Sequence, residues 1–415
     1  MSGLAQTLEP GHVRSGRGLA RAALARARAV PVPVGAFVAS RLLVLGAGIA
    51  GSLVLHAHAA AVTVSQWRSL GSVGSVLSAS ADRFDAGYYL GIATTGYGSL
   101  ASGRIAFFPA YPELIRVVAV LTRSPVAAGM LVSVVAFAVA LVLLHRLTEL
   151  ELGRRAADAT VLLLCFAPLS FFFSAVYSES LFLALTVGVF YAARTDRWRL
   201  ACVLAAAATL TRPTGIVLAV PLRVLWRRSG GSRTELAWVV LAPAALAAWA
   251  VTLALLGYGL AGQLHVEQAV FHRATVFPLF SLLYGLLDAV RGVAYVAGGG
   301  TVLRPALTGP FAALPEDVIL GAVLIACLVG FEACRRRMRS EYAAYAGLVL
   351  LMCLATPDKS EPLWSFDRFA LTIFPLWMAA GAFVARRRLQ VPAAILGGAA
   401  LVGYTMLFAS WSFIA

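Results

Sequence analysis

A few charged residues interrupt a strongly apolar chain, and their side chains could carry out chemistry on an anionic ligand. The carboxylates are those of Asp82, Asp85 and Glu179, and the guanidinium groups are those of Arg212 and Arg368. A carboxylate can take the proton of an attacking hydroxyl group. A guanidinium group can hold two phosphate oxygens and does not lose its own proton. The sequence therefore predicts a base acting beside a phosphate site, provided that the fold brings these residues together.

The composition decides which elements must position them. Hydrophobic residues make up 60% of the 415 residues and charged residues only 13%. At roughly 20 apolar residues per transmembrane helix, such a chain supplies around ten spans, which excludes a water-soluble enzyme with one anchor. The net charge of +15 lies in short clusters between apolar stretches, as the positive-inside rule produces, and not on one basic face. Membrane lipid is therefore an expected partner, and nucleic acid is not.

Placing every basic cluster in the cytoplasm predicts an all-α polytopic protein with about 11 transmembrane helices. Residues 1–32 then form a basic cytoplasmic segment, and 33–415 form a single transmembrane domain with large outer loops at 56–124 and 257–315. The C-terminus lies outside. The predicted spans are 33–55, 125–146, 156–174, the return that ends by Arg194, 199–210, 215–226, 236–256, 316–333, 341–356, 369–385 and 391–412.

Two segments fit this topology poorly, and both lie near the outer polar residues. The arms of the 199–226 hairpin hold only about 12 residues each, near 18 Å of helix, so we expect the hairpin to stop short of full depth. The apolar run 107–121 has no partner span, so we expect it to lie in the outer interface. All five charged candidates fall on the outer side of this topology.

Asp85 begins a predicted short interfacial helix in the first outer loop. Tyr89, Ile92 and Ala93 follow it at helical spacing, and Gly96 is a typical helix stop. A carboxylate at this position is either a helix cap or a base, and the sequence alone leaves both roles open. Similarly, Arg212 could reach the interface from a short hairpin, and Arg368 could simply pair with its neighbour Asp367.

Five stretches together resemble one family. The first, DRFDAGYYLGIATTGYG at 82–98, resembles the Trp-Asp loop of the mannosyltransferase that adds the second mannose to glycosylphosphatidylinositol anchors, known as PIG-V. One departure is that Phe84 stands where the family usually has Trp. The other stretches follow in the family's order: AFFPAYP at 106–112, PLSFFFSAVYSESLF at 168–182, LTRPTG at 210–215, and RF at 368–369 with FP at 374–375.

The resemblance implies a GT-C membrane fold with interfacial helices in the first outer loop, and a glycosyltransferase that is typically specific for mannose. It also implies a polyprenyl-phosphate-sugar donor, a lipid or glycan acceptor, and a site on the outer face of a bacterial plasma membrane. In this reading Asp85, or less favourably Asp82, is the base, and Arg212 and Arg368 bind the donor phosphate. No cofactor is expected.

Other residues are candidates for contacts with the substrate: Tyr89, Tyr111, Tyr177 and Glu179. The histidines show no metal-ligand spacing, so no metal is expected. Two other functions compete with the enzyme. A transporter or lipid-carrier flippase predicts charged sites at mid-membrane, where only Arg41 stands, and related halves, which the sequence lacks. A scaffold subunit predicts no convergence of acid and arginine on one face.

Overall fold

The computed structural model describes residues 31–54, 71–298, 315–359 and 361–411. Most of the predicted basic segment 1–32, together with 55–70 and 299–314 of the predicted outer loops, lies outside these residues. The described chain is helical and includes no strand, apart from an isolated bridge between Arg273 and Asp358. This confirms the expected all-α polytopic class.

Helices in the first half of the chain are α1 (Pro31–Val54), α2 (Gly71–Leu77), α3 (Ala86–Thr95), α4 (Ala110–Thr122), α5 (Pro125–Leu152), α6 (Arg154–Cys165), α7 (Glu179–Arg194), α8 (Trp198–Thr209) and α9 (Ala219–Ser229). Those in the second half are α10 (Arg233–Trp238), α11 (Leu241–Leu255), α12 (Gly262–Ala269), α13 (Pro278–Ala297), α14 (Pro315–Arg337), α15 (Ser340–Ala355), α16 (Phe366–Leu371), α17 (Phe374–Arg387) and α18 (Gln390–Ala409). Short 3₁₀ turns occur at Leu100–Ser102, Arg104–Ala106, Ser170–Phe173 and Pro213–Leu218.

Six of the described helices are long and apolar enough to cross a membrane, namely Val32–Val54, Pro125–Leu152, Arg233–Leu255, Pro278–Ala297, Glu316–Arg337 and Gln390–Ala409. The predicted count of eleven is not confirmed. The predicted crossings at 156–174, up to Arg194 and at 369–385 form helices of only 12, 16 and 14 residues, about 18 to 24 Å long. The chain instead breaks its helices there with turns. The protein is nevertheless an integral membrane protein.

Helix α13 corrects one prediction. The sequence placed 278–297 within an outer loop, whereas the structure forms an apolar 20-residue helix there, long enough to be a span. The segment contains two charged residues, Asp288 and Arg291. On the helix they are three residues apart, and Arg291 Nη1 lies 3.1 Å from Asp288 Oδ1, which lowers the cost of placing both charges near lipid.

The two short segments form short helices, and their depth in the membrane stays a prediction. Helix α4 has 13 residues, too few to cross, and it is amphipathic: Tyr111 and Ile115 are buried while Val120 and Leu121 are exposed. Arg116 ties α4 to the end of α3 by donating to the carbonyl oxygens of Ile92 and Ala93. In the hairpin, α8 has 12 residues and is followed by a 3₁₀ turn and the 11-residue α9.

The core lies where α5, α6 and α7 pack together, and Arg41 of α1 is hydrogen-bonded to it. Arg41 donates to the carbonyl oxygen and hydroxyl group of Ser170 and to the Ser174 hydroxyl group, over the ring of Phe137. The cost of a charge at this depth is offset because its N–H groups have acceptors. Arg41 therefore holds the turn that precedes α7 and its first residue, Glu179.

Candidate active site

Asp85 precedes α3, as its sequence predicts, but its carboxylate does not cap the helix. The helix begins at Ala86 and ends before Gly96, which has a positive φ of 81°. The Asp85 side chain makes no capping hydrogen bond; its Oδ2 accepts one from Arg368 Nη1 at 2.6 Å. Of the two roles left open by the sequence, the cap is therefore not formed, and the role of a base stays a prediction.

Glu179 joins the two arginines. It is the first residue of α7 and is only 1% exposed. Its Oε1 lies 3.1 Å from Arg212 Nη1 and 3.5 Å from Arg368 Nε. A buried carboxylate between two guanidinium groups reduces the repulsion between them. Glu179 therefore allows both cations to occupy one site, a positioning role that its place in the motif did not reveal.

The turn after α8 brings Arg212 into this cluster. Pro213 begins the 3₁₀ turn, and Gly215 lies against the end of α8, where a Cβ atom would stand 2.4 Å from the backbone nitrogen of Thr209. Only glycine allows the chain to return this closely. The Arg212 side chain is 13% exposed and its guanidinium carbon lies 5.0 Å from the centre of the Phe369 ring. Arg212 therefore does not extend to solvent.

Arg368 is the centre of the cluster. Its guanidinium carbon lies 5.7, 5.4 and 5.2 Å from the ring centres of Phe172, Tyr177 and Phe369. The alternative pairing with Asp367 does not form through the side chain, because Asp367 accepts from the backbone N–H of Arg368. The aromatic faces partly compensate for the loss of water around the cation.

Some buried polar atoms of the cluster make no hydrogen bond. These are Arg212 Nη1, Arg368 Nε and Glu179 Oε2. Arg212 Nη1 lies within ion-pair distance of Glu179, but its N–H groups are not aligned with that oxygen. Buried donors of this kind are costly unless a ligand supplies acceptors. The arrangement is therefore suited to bind an anion with several oxygens, such as a phosphate.

Tyr177 and Tyr89 hold the cluster through hydrogen bonds to Asp85 and to the neighbour of Glu179. The Tyr177 hydroxyl group donates to the carbonyl oxygen of Arg83 and accepts from the backbone N–H of Asp85, each at 3.1 Å. The Tyr89 hydroxyl group bonds the hydroxyl group of Ser178 at 2.8 Å, next to Glu179. Both tyrosines are buried. They hold the two carboxylates in place, and a direct contact of either ring with substrate stays a prediction.

Two other candidates lie outside the cluster. The Asp82 carboxylate accepts from Ser78 Oγ and pairs with its neighbour Arg83. Burial raises the pKa of Asp82, while Arg83 acts in the opposite direction. Tyr111 is fully buried, and its hydroxyl group contacts Ser133 and the carbonyl oxygen of Gly129 on α5. In the structure the polar groups of Asp82 and Tyr111 therefore contact residues outside the cluster.

Tyr177→Phe tests the support of Asp85. We expect stability to fall by about 1–3 kcal/mol, because one buried acceptor and one buried donor lose their partner. Transfer should fall about tenfold, since Asp85 would no longer be fixed at its backbone. Thermal unfolding and initial rates measure the two effects. Tyr111→Phe is the matched control, since it removes an equally buried hydroxyl group away from Asp85. Equal loss of transfer in both variants would contradict the assignment.

Sequence reasoning missed Arg273 and Glu267, which lie on the segment after α11. The Arg273 guanidinium carbon lies 5.5 Å from the centre of the Phe369 ring, so three arginines surround that ring. Its backbone pairs with Asp358, and its Nη1 donates to the carbonyl oxygen of Thr356. Burial raises the pKa of Glu267, which Arg273 lowers and Asp85 raises further. No motif indicated this segment, because it comes close to Phe369 only in the folded structure.

No group of three or more His, Cys, Asp or Glu side chains within the described residues is arranged to hold a metal ion.

The fold and the site define a polytopic membrane protein with two buried arginines beside carboxylates. Residues 37–228 match the sequence model of the family Mannosyltransferase (PIG-V). The match covers four of the five motif stretches completely, including those of Asp85, Glu179 and Arg212, and it confirms the resemblance seen in the sequence. The chain is thus similar to the PIG-V mannosyltransferases over residues 37–228, just under half of its length. No curated protein matches the sequence.

Solved structures give only a loose likeness. An oligosaccharyltransferase of Archaeoglobus fulgidus, AglB, in complex with an inhibitory peptide and a dolichol-phosphate is similar over 75% of this chain and 48% of its own, at 15% identity and a TM-score of 0.39. The apo form of the Archaeoglobus fulgidus enzyme is similar over 74% and 48%, at 14% identity and a TM-score of 0.40. The chain spans about half the length of these enzymes.

Proposed function

We propose that the protein transfers a sugar, most simply mannose, from a polyprenyl-phosphate carrier to a lipid or glycan acceptor on the outer face of the membrane. The observation that carries the proposal is the contact of Arg368 with both Asp85 and Glu179, with Arg212 close to the same oxygen of Glu179. These residues come from four separate motifs and are as much as 283 positions apart. One site thus combines a base with two phosphate ligands.

The reaction assigns a role to each group. The acceptor oxygen attacks C1 of the sugar, and the bond between C1 and the carrier phosphate breaks. Asp85 takes the proton of the acceptor hydroxyl group. The phosphate keeps the electron pair of the broken bond, and its growing negative charge lies beside Arg212 and Arg368. Glu179 positions both arginines and does not itself take part in proton transfer.

The ion pair between Asp85 and Arg368 links donor binding to the base. A phosphate that binds Arg368 competes with Asp85 for the same guanidinium group. The Asp85 side chain is 22% exposed, so it is accessible to an acceptor once its pairing weakens. A free carboxylate then stands next to the bound donor. Activation of the base therefore accompanies arrival of the substrate.

Arg273 is proposed as a third contact for the donor phosphate. Replacing it by Gln should weaken use of the donor about tenfold, because one charge-assisted contact is worth roughly 1.5 kcal/mol or somewhat more. The loss should appear in KM for the donor, measured by varying donor concentration. Arg123→Gln removes an exposed charge at the end of α4 and serves as the control. Similar changes in both variants would assign the effect to general surface charge.

The outer placement follows from the positions of the basic clusters, which the positive-inside rule assigns to the cytoplasm. The Asp85 cluster lies near the start of α5, because Gly129 packs against Val176, next to Tyr177. Glu151, which pairs with Arg194 and Arg339, lies 22 residues further along the same helix, about 33 Å away. The candidate site and the basic clusters therefore occupy opposite ends of the molecule.

The purified protein in lipid vesicles tests the proposal with radiolabelled polyprenyl-phosphate-mannose and crude lipid acceptors. A labelled acceptor formed with loss of label from the carrier supports transfer. Movement of intact carrier across the bilayer without covalent transfer would identify the flippase instead. Transfer of another sugar from a set of labelled carriers would support the proposed reaction and replace mannose as its substrate.

A further inference from the structure

A cavity lies at the end of α5 that is remote from the Asp85 cluster. It has a volume of about 670 Å³ and lies among the ends of α5, α9 and α14 and the start of α15. Its polar lining is formed mainly by arginines, and apolar side chains complete it. The arginines are Arg228, Arg335, Arg336, Arg337 and Arg339, and the apolar residues are Leu150, Leu152, Met338 and Ala343.

Positive charge exceeds negative charge around this cavity. Three carboxylates lie in or beside it: Glu151 pairs with Arg194 and Arg339, Glu332 with Arg335 and Arg336, and Glu341 with Arg228. Five arginines therefore pair with three carboxylates, and Arg337 is a sixth arginine beside them. Arg337 has no ion pair within the described residues. The surplus of three charges can be compensated by an anion that enters the cavity.

We propose that this cavity binds the headgroup of an anionic phospholipid from the inner leaflet. Guanidinium groups can hold the phosphate oxygens, and the apolar residues can contact the start of the acyl chains. Leu150 is 55% exposed, so an apolar surface adjoins the arginines. A free phosphate ion would use only the arginines and would leave this surface in contact with water. The lining therefore favours a lipid, and the proposal is independent of the reaction at Asp85.

The full-length protein in nanodiscs tests the proposal. Phosphatidylglycerol is titrated into phosphatidylcholine, and the lipid retained after extraction is counted by native mass spectrometry. The wild type should retain phosphatidylglycerol selectively. The double variant Arg336→Gln/Arg337→Gln should retain it about 30-fold less, since each basic residue contributes roughly a fivefold preference. Thermal unfolding in phosphatidylcholine alone should be unchanged, because exposed ion pairs contribute little to stability.

The matched control is Arg386→Gln/Arg387→Gln on α17. Both residues are exposed and belong to a basic cluster predicted to lie on the same side, but neither lines the cavity. This variant should retain phosphatidylglycerol like the wild type; equal loss in both double variants would overturn the proposal. Tight binding of inorganic phosphate that displaces the lipid would also overturn it in favour of a free-ion site. Should the double variant unfold, Arg337→Gln alone can replace it in the same measurement, because this substitution breaks no described ion pair.

Discussion

Asp85→Asn should lower transfer by a factor of roughly 10² to 10⁴ at normal expression, the range that a positioned general base contributes. The amide has almost the same size, and its oxygen can still accept from Arg368 Nη1, which now lies 2.6 Å from the carboxylate. The variant therefore removes the proton acceptor and leaves the packing of α3 intact. Initial rates with saturating donor and acceptor, corrected for the amount of folded protein, give the measurement.

Asp82→Asn is the matched control for the base. Asp82 lies in the same loop, but its carboxylate is 3% exposed and held by Ser78 and Arg83. We expect its substitution to affect thermal unfolding more than turnover, because Arg83 would lose its anionic partner. Should the two variants show the reverse order of activity, the base would be Asp82 and the assignment of Asp85 would be wrong.

Arg368→Lys should lower kcat/KM for the donor by roughly 10²-fold, similar to the loss of one donor to a developing oxyanion. The ammonium group keeps the charge but cannot reach Asp85 and Glu179 together, as the guanidinium group does through Nη1 and Nε. Arg212→Lys should act in the same direction, since the Arg212 side chain contacts the same Glu179 oxygen. Varying the donor at fixed acceptor separates weaker binding from slower transfer.

Arg123→Lys provides the comparison for both arginines. Arg123 is an exposed residue at the end of α4, on the same predicted outer side. Arg104 is less suitable, because its Nη1 donates to Thr95 and to the carbonyl oxygen of Gly96 at the end of α3. Rates within about twofold of the wild type are expected for Arg123→Lys, as for most exposed substitutions. Equal losses in all three lysine variants would mean that outer surface charge in general supports the reaction.

The membrane class, the short helix after Asp85 and the short helices of the hairpin at α8 were predictable because each rests on local properties. Apolar content and run length set the class, and the helical spacing after Asp85 with Gly96 sets α3. The crossing count was not predictable in this way. Helix α13 holds a charge pair that only helical geometry brings together, and the predicted span at 156–174 is broken by turns that Arg41 stabilises from α1.

The sequence by itself determined which residue types are available, and the resemblance of its motifs to one family indicated which of them to consider for the site. Only the tertiary structure decided how they are arranged. Glu179 contacts both Arg212 and Arg368, and Tyr111 packs in the core. Arg273, from a segment without a motif, lies against the Phe369 ring. The physical reason is that ion pairs and cation–π contacts act over a few ångströms between residues far apart in the chain, so they depend on how the helices pack and not on local spacing.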